Sequence, residues 1–414
     1  MGSRNGKSMK LSDFEKDAVV GDGAFGHVYR VVENATGKVY ALKSMIRSPD
    51  HSDEVWEKLK REVELQRKAS SSPFVTTYRY TFEENEKVYI VLDYIGGGDL
   101  FYQVKSANGG LPLDAVRFYT AEVMVALEHL HSLGIVFRDL KLENVLIAED
   151  GHVKLSDFGL AKQLLLRASE QRSRRRSRTR ARDDAAAGGD SGSLRSTSTF
   201  CGTKYYMAPE MVNNRRYAMS VDFWSLGVLV YSMLTGHYPF MSPDRTELFN
   251  MIRHDEVLYP ETLPDDAVDF VDALMEKDTA LRLSSFDDIR AHPFLRSIDW
   301  DAAAARELTP PAVPGDIAVD IYKELTGQAP SPSSSRRKKR RHKSRSRKSD
   351  TTAAAATGAA GVDSNVSGKV EPKPHKTRKR KKKRSSRPSP REASPSGDEQ
   401  PPPVCAAQRN VDNI

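Results

Sequence analysis

Cysteine is nearly missing: Cys201 and Cys405 are the only two in 414 residues. A pair this sparse builds neither a disulfide framework nor a metal-ligand spacing, and it fits a reducing compartment. Long apolar runs are missing as well. None approaches the roughly 18 residues that a membrane-crossing helix needs, and no signal peptide is visible. The opening Met1-Gly2-Ser3-Arg4-Asn5-Gly6 has Gly6 where N-myristoylation wants Ser or Thr, which argues against that anchor. Acidic residues are scarce towards the C-terminal end of the sequence. Arg336 to Arg391 holds 22 Lys/Arg against 3 Asp/Glu, a net +19, whereas the whole chain is +8, so the remainder sums to −11. The basic character belongs to a tail, and reading the whole chain as a basic nucleic-acid binder would mistake a segment for the protein.

The chain between the ends is long enough for one or two domains with a core. Residues 1–13 read as a loose polar leader. Val28-Tyr29-Arg30-Val31-Val32 and Val39-Tyr40-Ala41-Leu42-Lys43 alternate and are β-branched, with an Asn34-Ala35-Thr36-Gly37 turn between them. Asp53 to Ala69 has helical spacing, with Val55, Leu59, Val63 and Gln66 on one face. Val88 to Leu92 reads as a buried strand, and Gly96-Gly97-Gly98 as a hinge. Helices are expected over Asp114–His131, Ser220–Leu234 and Asp265–Met275. The plan is α+β: a small lobe of antiparallel β-sheet with one helix (14–95), joined to a larger, mainly helical lobe (96–295). Residues 163–198 and 316–414 are too polar and too biased in composition to offset their ordering entropy, so both are expected to lack fixed structure.

Three motifs carry chemistry. Gly21-Asp22-Gly23-Ala24-Phe25-Gly26-His27-Val28 lies between two strands, where glycines let backbone N–H groups approach phosphates. A strand rather than a helix follows it, so it is no Rossmann fingerprint, and alone it reads equally well as a glycine-rich hairpin without a ligand. Lys43 sits inside an apolar strand, either snorkelling to the surface or pairing with phosphates and with a carboxylate of the Asp53–Ala69 helix. The third is Phe137-Arg138-Asp139-Leu140-Lys141-Leu142-Glu143-Asn144 followed by Asp157-Phe158-Gly159. Phosphoryl transfer needs a carboxylate at the acceptor hydroxyl, oxygen ligands for Mg²⁺ and a cation at the γ-phosphate; Asp139, Asn144, Asp157 and Lys141 supply these types in order.

With those residues in place, the chain resembles the eukaryotic serine/threonine protein kinases over about residues 14–295. It is most similar to the AGC group, which includes protein kinase A, protein kinase B and ribosomal S6 kinases. The group is suggested by Arg138 to Asn144, by Thr199-Phe200-Cys201-Gly202-Thr203, and by His292-Pro293-Phe294-Leu295 with Ile298-Asp299-Trp300 and Thr309-Pro310-Pro311-Ala312-Val313-Pro314. The resemblance implies ATP and Mg²⁺ as cofactors. Gly21, Asp22, Gly23, Ala24, Phe25 and Gly26 would cover the phosphates. Val28, Ala41 and Leu146 would surround the adenine, Leu92 would be the gatekeeper, and backbone groups of Asp93 and Ile95 would bind the adenine edge. Lys43 would hold phosphates and pair with Glu62, with Glu64 as the alternative. Asp139 would be the catalytic base, Lys141 the γ-phosphate contact, and Asn144 and Asp157 the metal ligands. Glu210 would bridge to Arg282, and Asp222 would brace the catalytic loop. Residues 296–315 would form the group's C-terminal extension.

The resemblance also implies control and preference. Thr199 occupies the activation-loop phosphosite, served by an upstream kinase, with Arg138 and Lys58 as candidate phosphate partners. Asp99 and Glu143 match receptors for substrate arginines, so protein substrates with basic residues N-terminal to Ser/Thr are expected. Arg172-Ser173-Arg174-Arg175-Arg176-Ser177 in the insert has that same pattern and could be an autophosphorylation site, a pseudosubstrate or a solvated insertion. Basic runs within 336–391 read as nuclear import signals, as polyanion contacts or as a solubilising tail, and a cytoplasmic or nuclear location is expected. Four departures stand out. Phe137 replaces His or Tyr, Gln66 replaces an apolar residue behind the helix, and Lys204-Tyr205 replaces Pro-Glu. No Phe follows Phe294, so the group's hydrophobic motif is missing. The rival readings are a non-catalytic scaffold and a nucleic-acid-binding protein with an incidental kinase fold. Lys141 in Asp-Leu-Lys-Leu-Glu-Asn fits serine/threonine rather than tyrosine specificity.

Overall fold

The computed structural model describes residues 3–4, 7–23, 26–46, 53–107, 109–164, 202–314, 317–326 and 377–378. The β-branched alternation near the start forms β1 (Phe14–Gly23), β2 (Gly26–Glu33) and β3 (Val39–Ile46). Helix α1 (Asp53–Ala69) follows, then β4 (Tyr78–Glu84) and β5 (Lys87–Asp93). The five strands make one antiparallel sheet in the order β1-β2-β3-β5-β4.

Register decides what each face of this sheet does. Val31 pairs with Tyr40, and Leu42 with Val91. With Phe14, Tyr80, Phe82 and Tyr89 they form the small-lobe core, in which Phe82 stacks on Phe14 and Tyr89 with ring centroids 5.9 and 4.9 Å apart. Val28 pairs with Lys43, and Ala41 with Leu92. Paired residues share a face and side chains alternate along a strand, so these four occupy the other face.

Gly96 to Gly98 connect β5 to the large lobe. There α2 (Leu100–Ser106) is capped by the Asp99 side chain, which accepts from Tyr102 N. α3 (Leu113–Ser132) precedes the short strands β6 (Val145–Ile147) and β7 (Val153–Leu155). α4 (Ser220–Thr235) is buried from Val221 to Thr235. A helix that is apolar all round belongs at the centre of a core, and α4 packs between α3 and α5 (Asp265–Leu274). Each fully buried Leu or Phe here contributes about 1.5–3 kcal/mol. The expected two-lobed α+β architecture is the one observed.

Four local expectations change. The buried face of α1 is Glu62, Leu65, Gln66 and Ala69, whereas Leu59 and Val63 are only half-buried and the Val55 side chain lies outside the described residues. The helix turns polar groups inward because it packs on a charged site as well as on apolar side chains. The leader is not wholly loose: Met9 and Leu11 pack on the small-lobe core, and Leu11 N donates to Glu84. The insert starts later than 163, since Gln163 pairs with Ile135 and Leu164 is buried; residues 165–201 lie outside the described residues.

The fourth change is in the tail, where residues 318–326 form α6 (Ala318–Thr326). The N–H groups of Ile317 and Ala318 bond the Gly96 carbonyl at 2.7 and 2.8 Å. Ile321 is buried against Gly98, whose φ is +81° and where a Cβ would meet Ile321 Cδ1 at 2.4 Å. Only glycine admits both that backbone and that approach. Ile317-Ala318-Val319 and Ile321-Tyr322 form a short apolar period at the edge of a long polar stretch whose composition outweighs it. Thr377 and Arg378 pair antiparallel with Pro260 and Tyr259, and the rest of the tail lies outside the described residues.

Candidate active site

Lys43 leaves β3 on the face shared with Val28, Ala41 and Leu92. Its Nζ donates to Glu62 Oε1 at 2.8 Å and to Asp157 Oδ1 at 3.0 Å. Burial pushes the Lys43 ammonium down, but the Asp157 and Glu62 carboxylates more than offset this, so its pKa lies above the usual lysine value. Burial likewise pushes the Asp157 carboxyl up and Lys43 outweighs it, which leaves Asp157 below the ordinary range. Both groups are therefore charged at neutral pH. The choice between Glu62 and Glu64 is decided by helix phase. Glu64 points outward and pairs with Arg67 at 3.0 Å and Lys68 at 3.5 Å.

Asp139 is 7% exposed and lies in the loop between α3 and β6. Four donors converge on its carboxylate: Asn144 Nδ2 at 3.0 Å, Lys141 Nζ at 3.1 Å, and Thr203 Oγ1 and N at 3.0 and 3.3 Å. Lys141 Nζ also donates to Thr203 Oγ1 at 3.1 Å. The loop is held from below by Asp222, which is wholly buried and accepts from Phe137 N at 2.9 Å and Arg138 N at 2.8 Å. His131 Nε2 lies 2.8 Å from the same carboxylate. Arg138 and Asp157 both adopt left-handed φ, +67° and +64°, a strained conformation for non-glycine residues that persists only where the surroundings enforce it. Phe137 is fully buried edge-to-face on Phe158, 5.3 Å between centroids, so an aromatic without a polar tip fills this place.

Donor chemistry decides whether Mg²⁺ fits. Asn144 uses its amide nitrogen on Asp139 O and Oδ2, which turns its oxygen away from that contact. The Asp157 side chain is 45% exposed and binds Lys43 and Gly159 N through Oδ1. Two oxygen groups beside a charged lysine suit a hard cation shared with phosphates. Around the nucleotide face, Asp93 N donates to Thr77 O at 2.9 Å and its carboxylate grips Arg79, so the carbonyl is its group for a base edge. Ile95 begins the connection to Gly96, and Leu146 bridges to Asp99 across from Lys154. Gly21, Gly23 and Gly26 lie in the β1–β2 ribbon, with Asp22 opposite His27; Ala24 and Phe25 lie outside the described residues.

Asp99 and Glu143 face a common region below the hinge. Burial raises Asp99 to about 6, against the Tyr102 amide that lowers it, and the nearby Glu143 charge raises it further. Burial also raises Glu143, whose Oε2 is buried with no hydrogen-bond partner. Glu210 and Arg282 make a buried two-pronged ion pair, with N–O distances of 2.6 and 2.9 Å. Thr199 and Cys201 lie outside the described residues; Arg138, one of its candidate partners, bonds Leu160 O and Tyr217 OH. The residue that sequence reasoning passed over is Thr203. It appeared only as part of a group signature, and nothing in its spacing reveals that the chain folds back to set it against Asp139 and Lys141.

Comparison with known proteins agrees with this geometry. The protein kinase domain family matches residues 14–295. The RAC family serine/threonine-protein kinase homolog of Dictyostelium discoideum is 37% identical over 313 residues, 75% of this chain and 64% of that one. Protein kinase C-like 1B of Caenorhabditis elegans is 36% identical over 75% of this chain and 41% of its own length. The RAC serine/threonine-protein kinase of Drosophila melanogaster is 36% identical over 78% and 50%. The chain thus spans between two-fifths and two-thirds of the length of these curated relatives. It belongs to the protein kinase domain family, and the relatives it resembles include serine/threonine-protein kinases.

Proposed function

We propose that this chain transfers the γ-phosphoryl group of Mg·ATP to serine or threonine hydroxyls of proteins. The observation that carries the reading is the Asp139 carboxylate, buried and fixed by Asn144, Lys141 and Thr203. The acceptor hydroxyl oxygen bonds to the γ-phosphorus as the bond from phosphorus to the β–γ bridging oxygen breaks, and ADP leaves. Asp139 orients the hydroxyl and takes its proton. Lys141 offsets the charge that develops on the transferred group, while Lys43, held by Glu62, fixes the α/β-phosphates. Asn144 and Asp157 would hold Mg²⁺, which when bound neutralises phosphate charge.

Two carboxylates support a preference for arginine N-terminal to the acceptor. Asp99 and Glu143 raise each other's environment in negative potential, and the orphaned Glu143 oxygen wants a donor of the guanidinium type. Phosphorylation of Thr199 by an upstream kinase is the proposed switch. Nuclear import or polyanion contact through 336–391 is the proposed role of the basic runs, with a cytoplasmic or nuclear location.

The test is Mg·ATP-dependent phosphorylation of an arginine-directed peptide by the purified chain, with Asp139→Ala as control. Transfer that vanishes in the control supports the reading. Nucleotide binding without transfer, even with Thr199 phosphorylated, would replace it with the scaffold reading. Equal rates on an arginine-free peptide would remove the substrate preference, and full activity of Thr199→Ala would remove the switch.

A further inference from the structure

One turn beyond Glu62, α1 buries a glutamine whose partners lead to the strand before Asp157. Gln66 is 5% exposed. Its Nε2 donates to the Thr76 carbonyl and, at 3.2 Å, to Thr76 Oγ1. Thr76 is itself 2% exposed and sends both of its donors to one acceptor: N at 2.9 Å and Oγ1 at 3.2 Å from the Leu155 carbonyl. Val75 bridges to Leu155 in parallel, and Leu155 N returns to Phe74 O at 2.8 Å. Leu155 ends β7, two residues before Asp157. Ser70 completes the network, donating to Gln66 O at 2.6 Å and accepting from Tyr78 N at 2.8 Å.

A methionine or leucine would fill the same space without needing partners. What the amide adds is direction, because a buried donor left unpaired is costly while an apolar contact slides freely. The path crosses from α1 through the segment before β4 to β7, so it ties the helix that carries Glu62 to the strand that leads into Asp157. Those carboxylates grip Lys43 from two sides.

We infer that Gln66 is a positioning residue: through Thr76 and Leu155 it locks α1 to β7 and thereby sets Glu62 and Asp157 around Lys43. Its kinetic consequence rests on the phosphoryl-transfer reading; the placement of Lys43 does not. The network consists of contacts within the protein, apart from the residues assigned to nucleotide or acceptor. Its effect passes through Lys43 and the two carboxylates that hold it.

The test uses the full chain and two near-isosteric variants. Gln66→Met removes the amide, and Thr76→Val removes the hydroxyl. The first readout is the rate at which Lys43 is acylated by a saturating acyl-phosphate derivative of ATP. The two carboxylates fix the direction of Nζ; loosening them lets the amine stray from the acyl group, so both variants should react several-fold more slowly. The second readout is kcat on the arginine peptide, expected to fall roughly tenfold in either variant with little change in melting temperature. The third is Gln66→Met in a Glu62→Gln background, where the Glu62–Lys43 pair is already broken and the further loss should shrink.

Wild-type Lys43 labelling in both variants would overturn the inference, as would an equal kcat loss in both backgrounds, which marks a role in stability only. Should Gln66→Met fail to fold, Thr76→Val decides alone. If the unmodified chain transfers no phosphoryl group, the function reading falls and the labelling rates still decide the role of Gln66.

Discussion

Thr203 gives the Asp139 carboxylate its second wall. Its hydroxyl donates to Asp139 and accepts from Lys141, so it holds the proposed base and the proposed γ-phosphate lysine at a fixed separation. Thr203→Val keeps the shape and removes both contacts. It should lower kcat by about 10- to 100-fold and leave the KM for ATP nearly unchanged, since the lost contacts matter only as charge moves; initial rates across ATP concentrations measure this. Asp99 yields a prediction in pH. Burial raises its carboxyl to about 6, and only the ionised form attracts an arginine. The charged form dominates above that value and is lost as pH falls through it. The KM for an arginine-directed peptide should therefore rise between pH 7 and 5.5, on the order of severalfold. An arginine-free peptide should show no such rise, and Asp99→Asn should abolish it.

Among the elements, α1 shows how tertiary contact redirects a periodic pattern. Apolar spacing alone places Val55, Leu59, Val63 and Gln66 on the inner face, yet the buried set is Glu62, Leu65, Gln66 and Ala69. A pattern rule counts carbon, and this helix is oriented partly by a lysine and a threonine on other elements. The segment ending in Glu210 is anchored in the same way. Arg282, fully buried at its side chain, meets Glu210 with two bonds and also reaches Ser220 O. Arg282→Met strands a buried carboxylate and should cost about 3–5 kcal/mol, whereas the double variant Glu210→Gln/Arg282→Met should recover part of that loss. Denaturant midpoints of the three proteins check both statements. α6 is the converse of α1: too short to nucleate alone, it exists because Gly96 and Gly98 offer it a carbonyl and a slot.

For the whole molecule, charge is divided rather than averaged. The segment 336–391 carries +19 against −11 elsewhere. If its basic runs contact polyanions, binding of the full chain to heparin should fall linearly in log affinity with log salt. Replacing Lys379, Arg380, Lys381, Lys382 and Lys383 by alanine should flatten that slope and reduce nuclear accumulation of a tagged chain. An unchanged slope and unchanged location would leave the tail as a solubilising segment.

The sequence by itself determined the protein's class. Phosphoryl transfer needs few groups, and Lys43, Asp139, Lys141, Asn144 and Asp157 stand in fixed order because strand, loop and strand must deliver them in that order. The sheet was legible from β-branched alternation, and α4 from its continuous apolar run. Only tertiary structure decided between Glu62 and Glu64, because both lie in one helix and the choice turns on which side meets Lys43. It alone set Thr203 against Asp139, 64 residues apart in the chain, linked Gln66 to Leu155, and folded 318–326 into a helix at the hinge. Each of these is a contact between distant segments, and periodicity, which reports only how a segment meets its own neighbours, carries no record of it.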